Sequence, residues 1–492
     1  MVLRVEWNLC SERSKYVQGA DTTDFPPLTP HRISSKIENT VMSWGYLEDA
    51  SGAKGHADLI CVPQDESELV AILRDAARLQ TAVTIAGGGS GLTGGRVPYG
   101  GWLISMEKFR RLEVKLGKAT VGAGVTLHEL HAAAKASGQF YPPDPTETMA
   151  FLGGTIACNS SGSRSFMYGA TRRWVQRLRI ALPNGDVIDV RRGDAIDFDV
   201  PLIPQPASKK HSCGYALRPG MDWVDLFIGA EGTLGVLIEA EVELLPNPKS
   251  LLNGIIFFPS DEAGLQALDL WRSVPGLRML EWVDDPALRM IERRYPDVPA
   301  AAKAALIIEQ ISDGDSDIDA WAARLEETGA FEDKSWFGFT DADRERFRQF
   351  RHALPETALD ITKQSGFASL GTDFSVPIDK HRQMLAFYRE HMERIMHGHY
   401  CIFGHAGDGH PHVNMLPTTQ AEFDAGTAAL SVFACEAVRL GGSVAAEHGL
   451  GKKKAKFLPI QCAPEHIEAM KKVKRRFDPD WRFGRGTIFE LV

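Results

Sequence analysis

Paired cysteines are missing from this sequence, although it contains seven cysteines in 492 residues. The seven lie far apart and form no C-x-x-C motif. Iron–sulfur clusters and thiolate zinc sites need clustered cysteines, so the sequence disfavours both. The odd number of thiols is typical of a reducing compartment.

Long apolar runs are missing as well. No window approaches the roughly 20 apolar residues that a membrane helix needs, and the N-terminus lacks the apolar core of a signal peptide. We therefore expect a cytoplasmic protein without a membrane span. An excess of basic charge is missing too, because the net charge is −9 and the 55 Lys and Arg residues are spread along the chain. The one dense basic run, residues 471–476, is better explained as a solvated helix face than as a nucleic-acid contact.

Composition and length indicate a folded protein of two or more domains. Apolar residues make up 44% and charged residues 24% of the chain, both near the averages for globular proteins. After an N-terminal extension (1–54), residues 55–247 are β-rich and broken by glycines. Residues 248–470 alternate apolar strands with amphipathic helices such as 320–328, which indicates a second, α/β domain. The tail, 471–492, looks docked on another domain, and the whole is expected to be an α+β fold.

A glycine-rich loop, GGGSGLTGG, occupies residues 87–95. Gly89, Gly91 and Gly94 satisfy the dinucleotide pattern G-x-G-x-x-G, but that motif must open a helix. Here another strand follows, so a Rossmann fold is not indicated. Consecutive glycines can still point several N–H groups into one concavity that would hold a diphosphate. A mobile glycine loop is the alternative.

Two further clusters of small residues support cofactor binding. Residues 142–169 combine prolines, small residues and hydroxyls at a density that an ordinary core does not need, and residues 228–237 again place glycines beside a strand. Small side chains there would let the backbone approach a large flat ring closely.

Together the three segments resemble the FAD-binding (PCMH-type) domain of the vanillyl-alcohol oxidase superfamily. The resemblance implies that the loop holds the diphosphate and that the other two segments line the flavin and the adenosine side. The implied cofactor residues are Gly87, Gly88, Gly89, Ser90, Gly91, Leu92, Thr93, Gly94, Pro143, Asp144, Thr146, Gly153, Gly154, Asn159, Ser160, Gly162, Glu231, Gly232 and Val236. No histidine lies between Asp58 and Leu127, where some members tether the flavin, so non-covalent FAD is expected.

A histidine cluster marks the C-terminal half. The segment CIFGHAGDGHPHVN contains His405, His410 and His412, and the later segment AAEHG contains Glu447 and His448. Imidazoles with one carboxylate suit zinc, iron or manganese. A hydrogen-bonded histidine network is the alternative.

These two segments resemble the glycolate oxidase, D-lactate dehydrogenase and D-2-hydroxyglutarate dehydrogenase family. The resemblance implies a divalent metal, with zinc as the expected ion, and a substrate site beside it. The implied residues are His405, His412 and Glu447 as metal ligands, with Asn414, His448 and Arg351 on the substrate. His410 stands where many relatives have Asn, so it is either a further ligand or a hydrogen-bond donor. Pro355 and Gly371 replace further polar or basic substrate contacts.

The expected activity is oxidation of a small D-2-hydroxy acid, similar to D-lactate, by FAD with metal-assisted deprotonation. Glycolate, D-2-hydroxyglutarate and another alcohol remain alternative substrates. A zinc hydrolase would leave the glycine clusters unexplained, and no H-E-x-x-H or G-x-S-x-G motif supports it. A flavin-binding partner without catalysis is a third possibility. A quinone, a cytochrome, an electron-transfer flavoprotein or oxygen could accept the electrons, and a homodimer is an open alternative to the monomer.

Overall fold

Strands from the first half of the chain and strands from the second half form separate sheets. A computed structural model describes residues 36–37, 45–312 and 314–491. Most of the predicted N-terminal extension therefore lies outside the described residues. The α+β class predicted from the sequence is confirmed. Among the described residues, the four-stranded sheet of the first half is mixed, and its five-stranded sheet is antiparallel, like the sheet of the second half. The proposed domain boundaries remain predictions.

The first half builds a four-stranded sheet in the order β1-β2-β4-β3 and a five-stranded sheet in the order β5-β6-β10-β8-β9. Its strands are β1 (Lys36–Ile37), β2 (Leu59–Cys61), β3 (Val83–Ala86), β4 (Trp102–Ser105), β5 (Leu112–Lys115), β6 (Lys118–Gly122), β7 (Gln139–Phe140), β8 (Val175–Ala181), β9 (Val187–Arg191), β10 (Val236–Glu243) and β11 (Leu245–Pro246). Its helices are α1 (Glu66–Arg78), α2 (Leu127–Ala136), α3 (Leu152–Cys158), α4 (Ser165–Tyr168) and α5 (Trp223–Phe227).

The second half builds a seven-stranded antiparallel sheet in the order β15-β12-β14-β13-β17-β18-β16. Its strands are β12 (Leu251–Phe258), β13 (Leu277–Asp284), β14 (Ala304–Ile311), β15 (Trp336–Gly338), β16 (Leu370–Gly371), β17 (Tyr400–His405) and β18 (His410–Met415). Its helices are α6 (Asp261–Trp271), α7 (Asp285–Ile291), α8 (Asp315–Thr328), α9 (Asp341–Ser365), α10 (His381–Met396), α11 (Gln420–Arg439), α12 (Leu458–Gln461) and α13 (Pro464–Phe477).

Helix α8 begins five residues before the start that the apolar pattern indicated. Its first turn is polar, so it adds nothing to the apolar periodicity from which the start was inferred. Helix α2 begins directly after Thr126, because Thr126 and Glu129 form a capping box at its N-terminus.

Strand β12 shows why the second sheet is apolar on both faces. All of its residues are buried. Ile256 and Phe258 pack in the cluster that contains Leu268 of α6, whereas Ile255 and Phe257 pack on the opposite face. Helices thus cover both sides of this sheet, which makes it a rigid support for the side chains at its edge.

The C-terminal tail returns to the sheet of the first half. The N–H of Val83 in β3 donates to the carbonyl of Arg482, and the N–H of Gly484 donates back to Val83. Lys474, within the basic run that we expected to be solvated, is only 1% exposed. Its ammonium lies 2.8 Å from Asp478 and donates to the carbonyls of Thr233 and Phe483.

The other basic residues of the run, including Lys472, are exposed or partly exposed. Among the described helices, none combines the length and the apolar character of a membrane span.

Replacing the buried lysine should therefore destabilise the fold. Lys474→Met leaves the Asp478 carboxylate buried without its cation, which costs about 3–5 kcal/mol of unfolding free energy. Urea unfolding followed by circular dichroism measures the loss. The exposed variant Lys472→Met is the matched control and should change little. Equal stability of both variants would contradict the anchoring role of Lys474.

Candidate functional site

A cleft of about 300 Å³ lies between the loop after β3, helix α3 and the segment before β10. It brings together most of the cofactor residues implied by the sequence. Those that line it are Gly87, Gly88, Gly89, Ser90, Gly91, Leu92, Thr93, Thr146, Gly153, Gly154, Ser160, Gly162, Glu231 and Gly232, together with Glu447 and His448. The cleft therefore joins the glycine clusters to the segment that follows the histidines.

The glycine loop presents unpaired donors to this cleft. In the described part of the chain, no backbone N–H of residues 88–93 donates a hydrogen bond. Gly89 has a φ of +83°, which reverses the loop. Arg96, which also lines the cleft, supports the loop, because its Nη1 donates to the carbonyl of Gly87 at 2.8 Å. Free N–H groups in one concavity fit a diphosphate.

Helix α3 leaves room where a flat ring would lie. A Cβ added at Gly154 would meet no atom within 4 Å, and one added at Gly87 would meet only the Cα of Gly154. Glycine inside a helix is unfavourable relative to alanine, so open space is the physical advantage of glycine at this position. The lining thus fits a flavin ring as well as its diphosphate.

Five of the implied cofactor residues do not line the cleft. These are Gly94, Pro143, Asp144, Asn159 and Val236. Asn159 ends α3 in the left-handed conformation, and its side chain bonds to the backbone of His211 and Arg172. Asp144 faces Arg164, 3.5 Å away. Burial raises the pKa of Asp144, but Arg164 and the neighbouring cationic side chains together lower it by more, so the net pKa is below its ordinary value.

A β-hairpin carries the histidines. Strands β17 and β18 pair His405 with His410 and Phe403 with His412. Alternation along β18 places His410, His412 and Asn414 on one face. Side-chain nitrogens of the three histidines and a carboxylate oxygen of Glu447 lie within 4.8 Å of one another. The structure therefore brings together the three residues that were implied as metal ligands.

Hydrogen bonds orient two of these rings. Nδ1 of His405 lies 2.5 Å from Oε1 of Glu281, and Nδ1 of His412 lies 2.8 Å from the carbonyl of Thr372. Their Nε2 atoms point towards Oε1 of Glu447, at 3.2 and 3.5 Å. Metal-binding histidines commonly bond through the second ring nitrogen in this way. The donor set fits a divalent cation.

His410 adds an unusual observation. It is fully buried, and neither ring nitrogen makes a hydrogen bond among the described residues, although Nε2 is 3.3 Å from Asp373. Burial, with His412 nearby, holds its pKa well below its ordinary value. A buried neutral imidazole without a hydrogen-bond partner is available as a further ligand.

Glu447 is held by three donors on one oxygen. Ser161 Oγ at 2.9 Å, Gly162 N at 3.1 Å and Lys210 Nζ at 2.9 Å all donate to Oε2. Oε1 is left to face the histidines. Burial raises the pKa of Glu447, but Lys210 and the neighbouring histidines together lower it by more. The net pKa is therefore well below the ordinary value.

His448 sits at the boundary between this cluster and the cleft. Its backbone N–H donates to Oδ2 of Asp373, and its Nδ1 is 3.5 Å from the same oxygen. Burial lowers the pKa of His448 to about 4, so the ring is neutral at neutral pH. A neutral imidazole with one ring nitrogen near a carboxylate can accept a proton at the other.

Arg351 and Asn414 flank the cluster. Nε of Arg351 lies 2.5 Å from Oε2 of Glu281, whereas its Nη1 donates to Thr146, which lines the cleft. Part of the guanidinium is thus committed to Glu281. Asn414 makes only a 3.5 Å contact to the carbonyl of His412 among the described residues.

Sequence reasoning missed several residues of the site, notably Glu281, Asp373, Lys210 and Ser161. Glu281 lies in a strand that reads as apolar, LEWVD. Lys210 lies in residues 201–219, a proline-rich segment whose composition is typical of a surface loop. It is nevertheless only 2% exposed, whereas Lys209 is exposed. A charged residue inside an apolar strand was the one available signal.

Comparisons with known proteins agree with this geometry. Residues 57–191 match the model of an FAD binding domain. Residues 247–488 match the model of the C-terminal domain of FAD linked oxidases. A solved structure of alkyldihydroxyacetonephosphate synthase superposes with a TM-score of 0.61 at 16% identity, covering 88% of this chain and 76% of that one. At that identity the likeness concerns the fold alone.

Three relatives are similar over most of their length. Glycolate oxidase subunit GlcD of Bacillus subtilis is 30% identical, over 88% of this chain and 89% of that protein. D-2-hydroxyglutarate dehydrogenase of Xanthomonas citri is 29% identical over 88% and 89%. D-lactate dehydrogenase of Archaeoglobus fulgidus is 30% identical over 86% and 89%.

The open space at Gly154 can be tested directly. In Gly154→Ala the new methyl group enters the cleft without touching the protein, so the flavin-free protein should keep its stability or gain up to about 1 kcal/mol. FAD affinity should fall about tenfold or more, because the ring and the methyl group compete for one volume. Calorimetric titration of deflavinated protein with FAD measures this.

Gly45→Ala is the matched control, since its Cβ also meets nothing within 4 Å and Gly45 does not line the cleft. Unchanged FAD affinity in Gly154→Ala would place the flavin elsewhere.

Proposed function

Because this chain belongs to the family of FAD-linked oxidases, we propose that it oxidises a D-2-hydroxy acid with one carboxylate, similar to D-lactate. It is an FAD-dependent oxidoreductase that acts on a hydroxy acid. The observation that carries the proposal is the contact between the two halves at Glu447. Its Oε2 accepts from Ser161 and Gly162 beside the cofactor cleft, while its Oε1 faces His405 and His412.

The proposed roles follow from where the side chains lie. When bound, the flavin would accept a hydride. A divalent cation, expected to be zinc, would stabilise negative charge on the substrate oxygen. His405, His412 and Glu447 would hold that cation. His448 takes the hydroxyl proton on Nε2, because its Nδ1 faces Asp373.

Arg351 and Asn414 orient the substrate carboxylate in this proposal. The Nη1 edge of Arg351 points towards Thr146 in the cleft lining, while its Nε edge donates to the carboxylate of Glu281. A planar guanidinium can bond along two edges at once. Asn414 has donor capacity to spare on the same face as His412.

Two substitutions support a monocarboxylate over 2-hydroxyglutarate. Pro355 and Gly371 occupy positions where the family resemblance implied polar or basic contacts to a distal group. Gly371 lies opposite Asn414 across β16 and β18 and offers no side chain. A second carboxylate would be desolvated there without a cation, which is unfavourable.

Anaerobic titration tests this substrate class. D-lactate should bleach the flavin absorption of the loaded protein, and D-2-hydroxyglutarate should do so at least about tenfold less efficiently because its distal carboxylate lacks a partner. L-lactate should be inactive, and glycolate serves as the small reference substrate. Removal of the metal by a chelator should suppress the reduction. Unchanged rates after verified metal removal would refute the role of the cation.

Substitution of the base tests the assignment of His448. His448→Gln should lower the rate of flavin reduction about 10²–10⁴-fold, the usual contribution of a general base, while the FAD content stays normal. Stopped-flow absorbance measures the rate. The control is His399→Gln, because His399 is an exposed histidine that pairs with Glu422 outside the cleft. A rate within threefold of wild type, on the order of 0.6 kcal/mol, would exclude His448 as the base.

A further inference from the structure

Three buried carboxylates surround the histidine cluster, and each faces a cation of its own. The pairs are Lys210–Glu447 at 2.9 Å, Arg351–Glu281 at 2.5 Å and Lys454–Asp373 at 2.9 Å. All three carboxylates are at least nine-tenths buried. Each pair combines one negative and one positive charge, so the three pairs contribute no net charge to the site. A histidine that binds a cation is neutral as well.

Hydrogen bonding alone does not explain Lys210. Oε2 of Glu447 already accepts from Ser161 Oγ and Gly162 N, which define its orientation. The ammonium of Lys210 is desolvated to reach this oxygen and is only 2% exposed. A buried ammonium is retained against its desolvation penalty when it neutralises a buried charge.

We propose that Lys210 is a charge-compensating residue, which neutralises Glu447 so that the divalent cation keeps its full double charge for the substrate. Arg351 and Lys454 do the same for Glu281 and Asp373. A 2-hydroxy acid that gives up its hydroxyl proton carries two negative charges, which balance that cation. This inference rests on the proposed function and explains why a monocarboxylate matches the site.

The test compares Lys210→Gln, Lys210→Met and the matched control Lys209→Gln in the full-length, flavin-loaded protein. Lys209 is the exposed neighbour, whose Nζ lies over the ring of Phe166. Zinc affinity is measured by competition with a chromophoric chelator. Oxalate, a dianion, and pyruvate, a monoanion, are then titrated into the zinc-loaded proteins, and the flavin absorption band reports their binding.

Both Lys210 variants should bind zinc about tenfold more tightly or better, because an uncompensated Glu447 attracts the ion. They should bind both anions more weakly. The Coulomb energy is proportional to the ligand charge, so a loss of about tenfold for pyruvate predicts a loss of about a hundredfold for oxalate. A purely structural role would weaken both anions by similar factors.

Several outcomes would overturn the inference. Wild-type behaviour of Lys210→Gln beside an impaired Lys210→Met would reduce Lys210 to a hydrogen-bond donor. Equal factors for oxalate and pyruvate would exclude a charge effect. In the wild-type protein, which needs no variant to fold, oxalate must bind at least about a hundredfold more tightly than pyruvate. A wild-type protein that binds no zinc would refute the proposed function itself. Unexpected zinc or anion binding by the Lys210 variants alone would refute only the inference about Lys210.

Discussion

Glu447 is the residue on which the rest of the site depends. One of its oxygens is bound by Ser161, Gly162 and Lys210, and the other faces the histidine nitrogens. A buried carboxylate is stable only where donors and cations satisfy it. The segment that lines the cofactor cleft and the hairpin that carries the histidines are therefore held at a separation set by a single carboxylate group.

Rigid elements hold the other partners in place. Strand β13 pairs with β17, which places Glu281 behind His405. A bridge between Ser375 and Ser443 brings Asp373 beside the backbone of Glu447 and His448. Because the seven-stranded sheet is packed on both faces, these positions follow from its core. The tail adds a further restraint, since the N–H of Ile488 donates to the carbonyl of Gly451.

Ion pairing is the common feature of three buried acids around the histidine cluster. Glu281, Asp373 and Glu447 each have a neighbouring cation, and the His448 ring is neutral at neutral pH. The cleft is thus suited to a neutral flavin ring, and the hairpin to a doubly charged ion. The FAD-linked oxidase family and the geometry of Glu447 support the same chemistry from independent directions.

The sequence by itself determined the local features. The glycine loop, the histidine spacing, helix α2 and the α+β class are encoded in short windows, where glycine content, capping residues and periodicity act directly on the backbone. Through resemblance it also led to the proposed metal ligands, His405, His412 and Glu447, and to the proposed base, His448. Only the tertiary structure decided which cation faces which acid, because Lys210 and Glu447 are 237 residues apart. It likewise made Asn159 a helix cap rather than a cleft residue and buried Lys210 in a segment that reads as surface. Side-chain burial and ion pairing depend on packing between segments that are distant in sequence, so a local sequence pattern does not predict them.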